Sequence, residues 1–252
     1  MSKSKQVMIV IIAIIVIGGT ITMVNAYREK NFVELNREKI EERVRHYVKR
    51  YKLDPDKLDI VEIGDPFTLP RGEKFFSIYI KYYGHPYLSM ALNGDPETLA
   101  IKEHQEYIAV KIFNELYLEE RYDEFKPVID YLEGLGIIDP LRPENTKVKY
   151  FQTSVGLDTE ISSDLKDALR DSDESFDKLR KYIKDNKDKI SRLDTEMDIV
   201  GRKEGIDDQQ ASEIKKQLIT MLPKSNYHVQ LGVRDPNNGV AKEGLFTYLE
   251  IE

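Results

Sequence analysis

Apolar side chains in this chain fall into three patterns: one unbroken run, stretches that recur every three or four residues, and stretches that alternate. The unbroken run is Val7–Val24, VMIVIIAIIVIGGTITMV, eighteen residues without a charge, behind a tail carrying Lys3 and Lys5. At about 1.5 Å per helical residue it reaches roughly 27 Å, close to the hydrocarbon thickness of a bilayer. The order of basic tail, apolar core and small residues at Val24 and Ala26 is also that of an export signal. Its length favours an uncleaved anchor, and secretion after cleavage following Ala26 is the alternative.

Beyond the run the period changes. Ile40, Val44, Tyr47, Val48 and Tyr51 recur at helical spacing, predicting an amphipathic helix from about Asn36, with Asn36 as its N-cap and Asp54-Pro55 beyond its end. Leu58–Ile63 reads as a strand. Lys74–Tyr83 alternates, with Phe76, Ile78, Ile80 and Tyr82 on one side and Phe75, Ser77, Tyr79, Lys81 and Tyr83 on the other. The turns at Gly84-His85-Pro86 and Asn93-Gly94-Asp95-Pro96 bracket Tyr87–Leu92 and complete an antiparallel meander. From about Lys102 the spacing is helical again through Ile108, Ile112, Phe113 and Leu116. A second helix from Tyr122 carries Phe125, Val128, Ile129 and Leu132, with Gly134 and Gly136 closing it.

Lys147–Val155 predicts a further strand. The stretch from Asp158 to Lys224 reads as charged helices, in which Leu165, Leu169, Phe176, Leu179 and Ile183 are sparse apolar positions. A later helix over Asp207–Leu222 carries Ala211, Ile214, Leu218 and Met221. Tyr227, Val229, Leu231 and Val233 alternate before Asp235–Gly239, and Leu245–Ile251 returns, so the chain ends on a hairpin. The expected fold is α+β, an N-terminal transmembrane helix followed by helices packed on antiparallel sheets. Its divisions are a cytoplasmic tail (1–6), the anchor (7–24), a spacer (25–35), a lobe built on the meander (36–144) and a second α+β lobe (145–252).

Composition narrows the function classes. With Lys3 and Lys5 set aside from 38 basic residues against 45 acids, the folded part carries near −9, which disfavours nucleic acid. There is no cysteine, which excludes disulfides, thiolate nucleophiles, Cys-ligated zinc and a lipid-modified N-terminal cysteine. His46, His85, His104 and His228 are scattered without metal spacing, and neither a Gly-x-Ser-x-Gly elbow nor a Walker A loop occurs. The acid run Asp171–Asp177 puts Phe176 and Tyr182 where a calcium loop needs Gly and Glu, so helix capping by Ser172 or Asp173 is the better reading. No catalytic residue, metal ligand or cofactor is proposed by the sequence. Tyr79, Tyr83 and Tyr87 form the candidate contact surface, since an aromatic sheet face either packs under helices or binds.

The order ERVRHYVKRYK, DIVEIG, FFSIYIKYYGHPYLSMAL and EYIAVKIFNELYLEERYDEFKPVIDYL, over residues 36–155, resembles a family of often lipid-anchored surface proteins of Gram-positive bacteria. The resemblance implies an outward-facing domain and no activity. This chain lacks the lipidated cysteine such proteins carry, so Val7–Val24 would have to attach it. The lysine and arginine count runs the other way, since Arg28, Lys30, Arg37, Lys39 and Arg43 closely follow the run. A two-lysine tail leading at once into an apolar run is nevertheless how exported chains begin.

The expected function is therefore a non-enzymatic, single-pass extracytoplasmic protein that binds a protein or envelope ligand. The alternatives are a carboxylate-dependent hydrolase and a cytoplasmic-facing regulatory subunit. The anchor reading predicts that the full-length chain stays in the membrane fraction after alkaline carbonate washing and that deletion of 7–24 releases it. Release of the intact chain by carbonate would contradict it.

Overall fold

The computed structural model describes residues 31–102, 107–156, 159–173, 175–235 and 239–252. The expected span Val7–Val24 and His104 lie outside the described residues. Among the described residues no helix is long and apolar enough to cross a membrane. The fold is α+β, with helices and largely antiparallel sheets. Its described residues form two compact units, one of 31–47, 58–81 and 90–102, the other of 48–57, 82–89 and 107 onward.

The first unit begins with α1 (Phe32–Lys49), which buries Ile40 and Val44. The helix starts one turn before the expected position. Asn36 does not cap it, because its side-chain amide donates back to the Phe32 carbonyl at 2.9 Å inside the first turn. The sheet contains β1 (Leu58–Ile63), β2 (Phe67–Thr68), β3 (Lys74–Tyr82), β4 (Leu88–Gly94) and β5 (Ile101–Lys102) in the order β1-β3-β4-β5, with β2 paired to β3. The alternation of β3 is as expected: Phe76, Ile78 and Ile80 are buried and Tyr79 is exposed. The ring of Phe32 packs on Phe76 with centroids 5.0 Å apart. Gly94 is required there, since a Cβ would fall 2.1 Å from the Phe76 ring. Lys102 begins no helix. It sits in β5, its ammonium over the Phe75 ring and 3.3 Å from Asp95.

In the second unit α2 (Tyr107–Glu120) and α3 (Tyr122–Gly134) follow, and Gly136, at φ +70°, donates its N–H to Glu133 to close α3. Then come β6 (Phe151–Thr153), α4 (Thr159–Arg170), α5 (Asp177–Asp185), α6 (Lys187–Leu193), β7 (Met197–Gly201), α7 (Asp208–Met221), β8 (Ser225–Arg234) and β9 (Ala241–Ile251). The expected strand over 147–155 shrinks to three residues. Neither Ser172 nor Asp173 caps a helix: Ser172 donates to the Ala168 carbonyl, and the Asp173 carboxylate accepts from Ser175. Asp207 does cap α7, accepting from the Gln210 N–H at 2.8 Å.

The four strands lie in the order β6-β7-β8-β9, and β7 runs parallel to β8. The intervening α7 is the crossover that a parallel pair demands. Register stacks the strands in rows. Phe151, Ile199 and Val229 align, as do Met197, Tyr227 and Leu249, and these side chains are buried. The α3 side chain Phe125 stacks on Phe151 at 4.3 Å, so this is the face the helices cover.

Among the described residues of this unit, Arg121 and Arg142 are buried and ion-paired. Arg121, between α2 and α3, donates to Asp194 at 3.2 Å and to the Tyr117 hydroxyl at 2.9 Å, and pairs with Glu124. Asp194 also accepts from Thr153, and burial pushes its carboxyl above the ordinary aspartate range against these partners. Arg142 grips both carboxylate oxygens of Glu115 at 3.0 and 2.9 Å. Burial likewise raises Tyr150 to about 12, with its hydroxyl donating to the Ile137 carbonyl at 2.7 Å.

Removing one member of a buried pair strands the other charge. Asp194→Ala is expected to lower the unfolding free energy by about 3–5 kcal/mol in urea titrations. The double change Asp194→Ala with Arg121→Met is expected to recover part of that loss. A loss below about 1 kcal/mol for Asp194→Ala would show that Arg121 is solvated and the clamp is absent.

Candidate functional site

Because side chains alternate along a strand, every residue of β8 between the buried Tyr227, Val229 and Leu231 points away from the helices. Register brings outward positions of four strands into one row: Gln152 of β6, Asp198 of β7, His228 of β8 and Tyr248 of β9. A second row joins Val200, Gln230 and Phe246. None of these seven side chains is sealed: Tyr248 is 69 % exposed, and the other six are partly open to solvent.

The rows are tied together by directed contacts. His228 Nδ1 lies 3.0 Å from the Asp198 carboxylate, and the imidazole stacks on the Tyr248 ring at 4.5 Å and 9°. A carboxylate only accepts, so Nδ1 carries the proton toward Asp198. A nitrogen that donates to Asp198 does not accept from Gln230, whose amide nitrogen is 3.2 Å away. Gln230 is instead held by its oxygen, which accepts from Arg234 Nη2 at 2.9 Å. Arg234 also donates to the Gly239 carbonyl at 2.8 Å and lies over the Phe246 ring at 4.7 Å. A planar guanidinium on an aromatic face, with two donors already fixed, has little rotamer freedom left to lose on binding.

Chemically this is an open face of mixed polar and aromatic side chains with a histidine–carboxylate pair. No hydroxyl nucleophile is hydrogen-bonded to His228 among the described residues. Asp198 and His228 offer two groups to a metal, and among the described residues no third His, Cys, Asp or Glu completes a set. The carboxyls that burial pushes upward, Asp194 and Glu115, lie elsewhere and are each held by an arginine.

The tyrosines singled out by the sequence divide. Tyr79 is 47 % exposed in the first unit, and Tyr83 is 52 % exposed in the second. Tyr87 is buried, its ring 5.8 Å from that of Tyr83, and burial raises its hydroxyl above the ordinary tyrosine value. Of the other histidines, His46 is exposed on α1, and His85 lies 3.2 Å from Glu119. Asp198, Gln230, Arg234, Phe246 and Tyr248 escape sequence reasoning. The alternation of β8 marks which of its residues face outward, but their partners come from β7 and β9 through register.

The chain matches no family model, no curated protein and no solved structure.

Proposed function

We propose that the protein is a non-enzymatic binding protein of the bacterial cell envelope, held by Val7–Val24 with the folded part outside, and that the outward face of the second sheet is its contact surface. The observation that carries this reading is the joined set Asp198–His228–Tyr248 and Gln230–Arg234–Phe246 on a sheet face whose side chains stay partly or fully open to solvent among the described residues. Polar side chains fixed by one another on an open face contribute little to folding, because solvent competes for every bond they make. They do present a preorganised mixture of aromatic surface and directed hydrogen-bonding groups, the combination that dominates protein contact sites. The surface is charged as well as aromatic, and a partner that bears acidic groups complements Arg234.

A photo-crosslinking amino acid placed at Tyr248 tests this in intact cells. The control places it at Val61 or Ile219, which are also exposed but lie off this face. The expected result is a discrete adduct from position 248 and none from 61 or 219. Equal labelling from all three positions, or no adduct from 248, would overturn the contact surface.

A further inference from the structure

At the Arg234 end of the open face is a cavity of about 400 Å³, lined among others by Val200, Arg202, Gln230, Gly232, Arg234 and Phe246. That volume is within the range of ligand pockets. Its floor depends on glycine. Gly232 faces Gly244 across β8 and β9, with φ at +146° and +127°. A Cβ on Gly232 would fall 2.2 Å from the Glu243 carbonyl oxygen, and one on Gly244 would fall 2.1 Å from that of Leu231. The two strands therefore meet here without side chains.

The charge of this cavity is opposite to that of the chain. The whole protein carries −7, yet among the described residues no carboxylate lines the cavity and two arginines do. Two other cavities of the second unit, of about 420 and 450 Å³, carry Glu133, Asp139 and Glu144 in one and Asp207, Asp208 and Glu243 in the other. Elsewhere in the unit Arg121, Arg142, Arg170 and Arg180 each pair with a carboxylate. Among the described residues Arg202 has no side-chain partner, and Arg234 is held by neutral groups alone, the Gln230 amide oxygen and the Gly239 carbonyl. Neutral acceptors orient a guanidinium without cancelling its charge. An arginine fixed in this way and left without a counter-ion is arranged to receive a carboxylate through its planar fork.

We infer that this cavity binds a carboxylate side chain of an acidic peptide segment, gripped between Arg202 and Arg234 over the Phe246 ring. The inference rests on reading the outward face as a contact surface. A peptide is favoured over a small free acid because the face continues along β8. From Arg234 to His228 it runs six residues, about 20 Å, which is the reach of an extended segment of similar length. Flanking residues of the peptide would then lie along Gln230 and the His228–Tyr248 stack.

The test uses the full-length protein in neutral detergent and a fluorescein-labelled hexaglutamate peptide followed by anisotropy. Hexaglutamine and inorganic phosphate serve as comparison probes. Hexaglutamate is expected to bind at least about tenfold more tightly than hexaglutamine and to weaken as salt is raised. Arg202→Ala and Arg234→Ala are each expected to cost about tenfold or more, the magnitude of a lost charge-assisted pair. Arg234→Lys keeps the charge but loses the fork, so it is expected to fall between them and the unchanged protein. Circular dichroism of each variant checks that the fold is retained, and Arg202→Ala removes a side chain that holds no other residue in place. Equal binding of hexaglutamate and hexaglutamine, or unchanged binding in Arg202→Ala, overturns the inference. Competition by phosphate below about tenfold excess overturns it too, by showing a general anion site. A crosslink at Tyr248 together with no preference for hexaglutamate would sink the acidic ligand alone, whereas loss of both would remove the contact surface as well.

Discussion

The second unit is organised by the fact that a strand has two faces and, among the described residues, helices pack on one of them. Once α3 seals Phe151 under Phe125, register carries the same sidedness across β7, β8 and β9. Tyr227, Val229 and Leu231 become core, and His228, Gln230 and Arg234 become surface, on a single ten-residue strand. A slip of one residue in any pairing would exchange the two sets, so hydrophobic burial on one side fixes the geometry of the polar network on the other. The proposed contact surface is in this sense a by-product of core packing.

The buried ion pairs serve the same end from beneath. Arg121 joins the corner between α2 and α3 to Asp194, just before β7, and Asp194 in turn holds Thr153 at the end of β6. Three pieces of chain distant in sequence are thereby held where β6 and β7 must pair. Such a pair adds little net stability over apolar packing, but it tolerates few alternatives in geometry. Carboxyls raised by burial often mark active sites. Here burial in the helical layer accounts for the raised values, and the arginine that grips each carboxyl works against it.

Much of the architecture was legible because burial leaves a period. The alternation of Phe76, Ile78 and Ile80, the stripe Phe125, Val128, Ile129 and Leu132, and the hairpin of Tyr227–Val233 with Leu245–Ile251 all occur as the pattern predicts. What failed was short or depended on distant partners. Met197–Gly201 is five residues set among charged helices, too few to show a period, and becomes a strand because β6 and β8 flank it. Lys147–Val155 has strand-like composition, but only Phe151–Thr153 finds a partner, and Tyr150 just before it sits at φ +67°. The outward row of the second sheet was not legible for the same reason. Asp198, His228 and Tyr248 are twenty and thirty residues apart, and without β7 in place nothing in the sequence sets them side by side. Aromatic content drew attention to Tyr79, Tyr83 and Tyr87 instead, one of which is buried.

The central claim is that β8 and β9 divide into a face that folds the protein and a face that is free to bind. Urea unfolding of two variants in neighbouring strands tests it most directly. Leu231→Ala, on the covered face, is expected to cost about 2–5 kcal/mol. Tyr248→Thr, which keeps a strand-forming residue on the open face, is expected to change stability by less than about 0.5 kcal/mol. A loss for Tyr248→Thr as large as that for Leu231→Ala would mean that the outward row is itself packed core and that no such division exists.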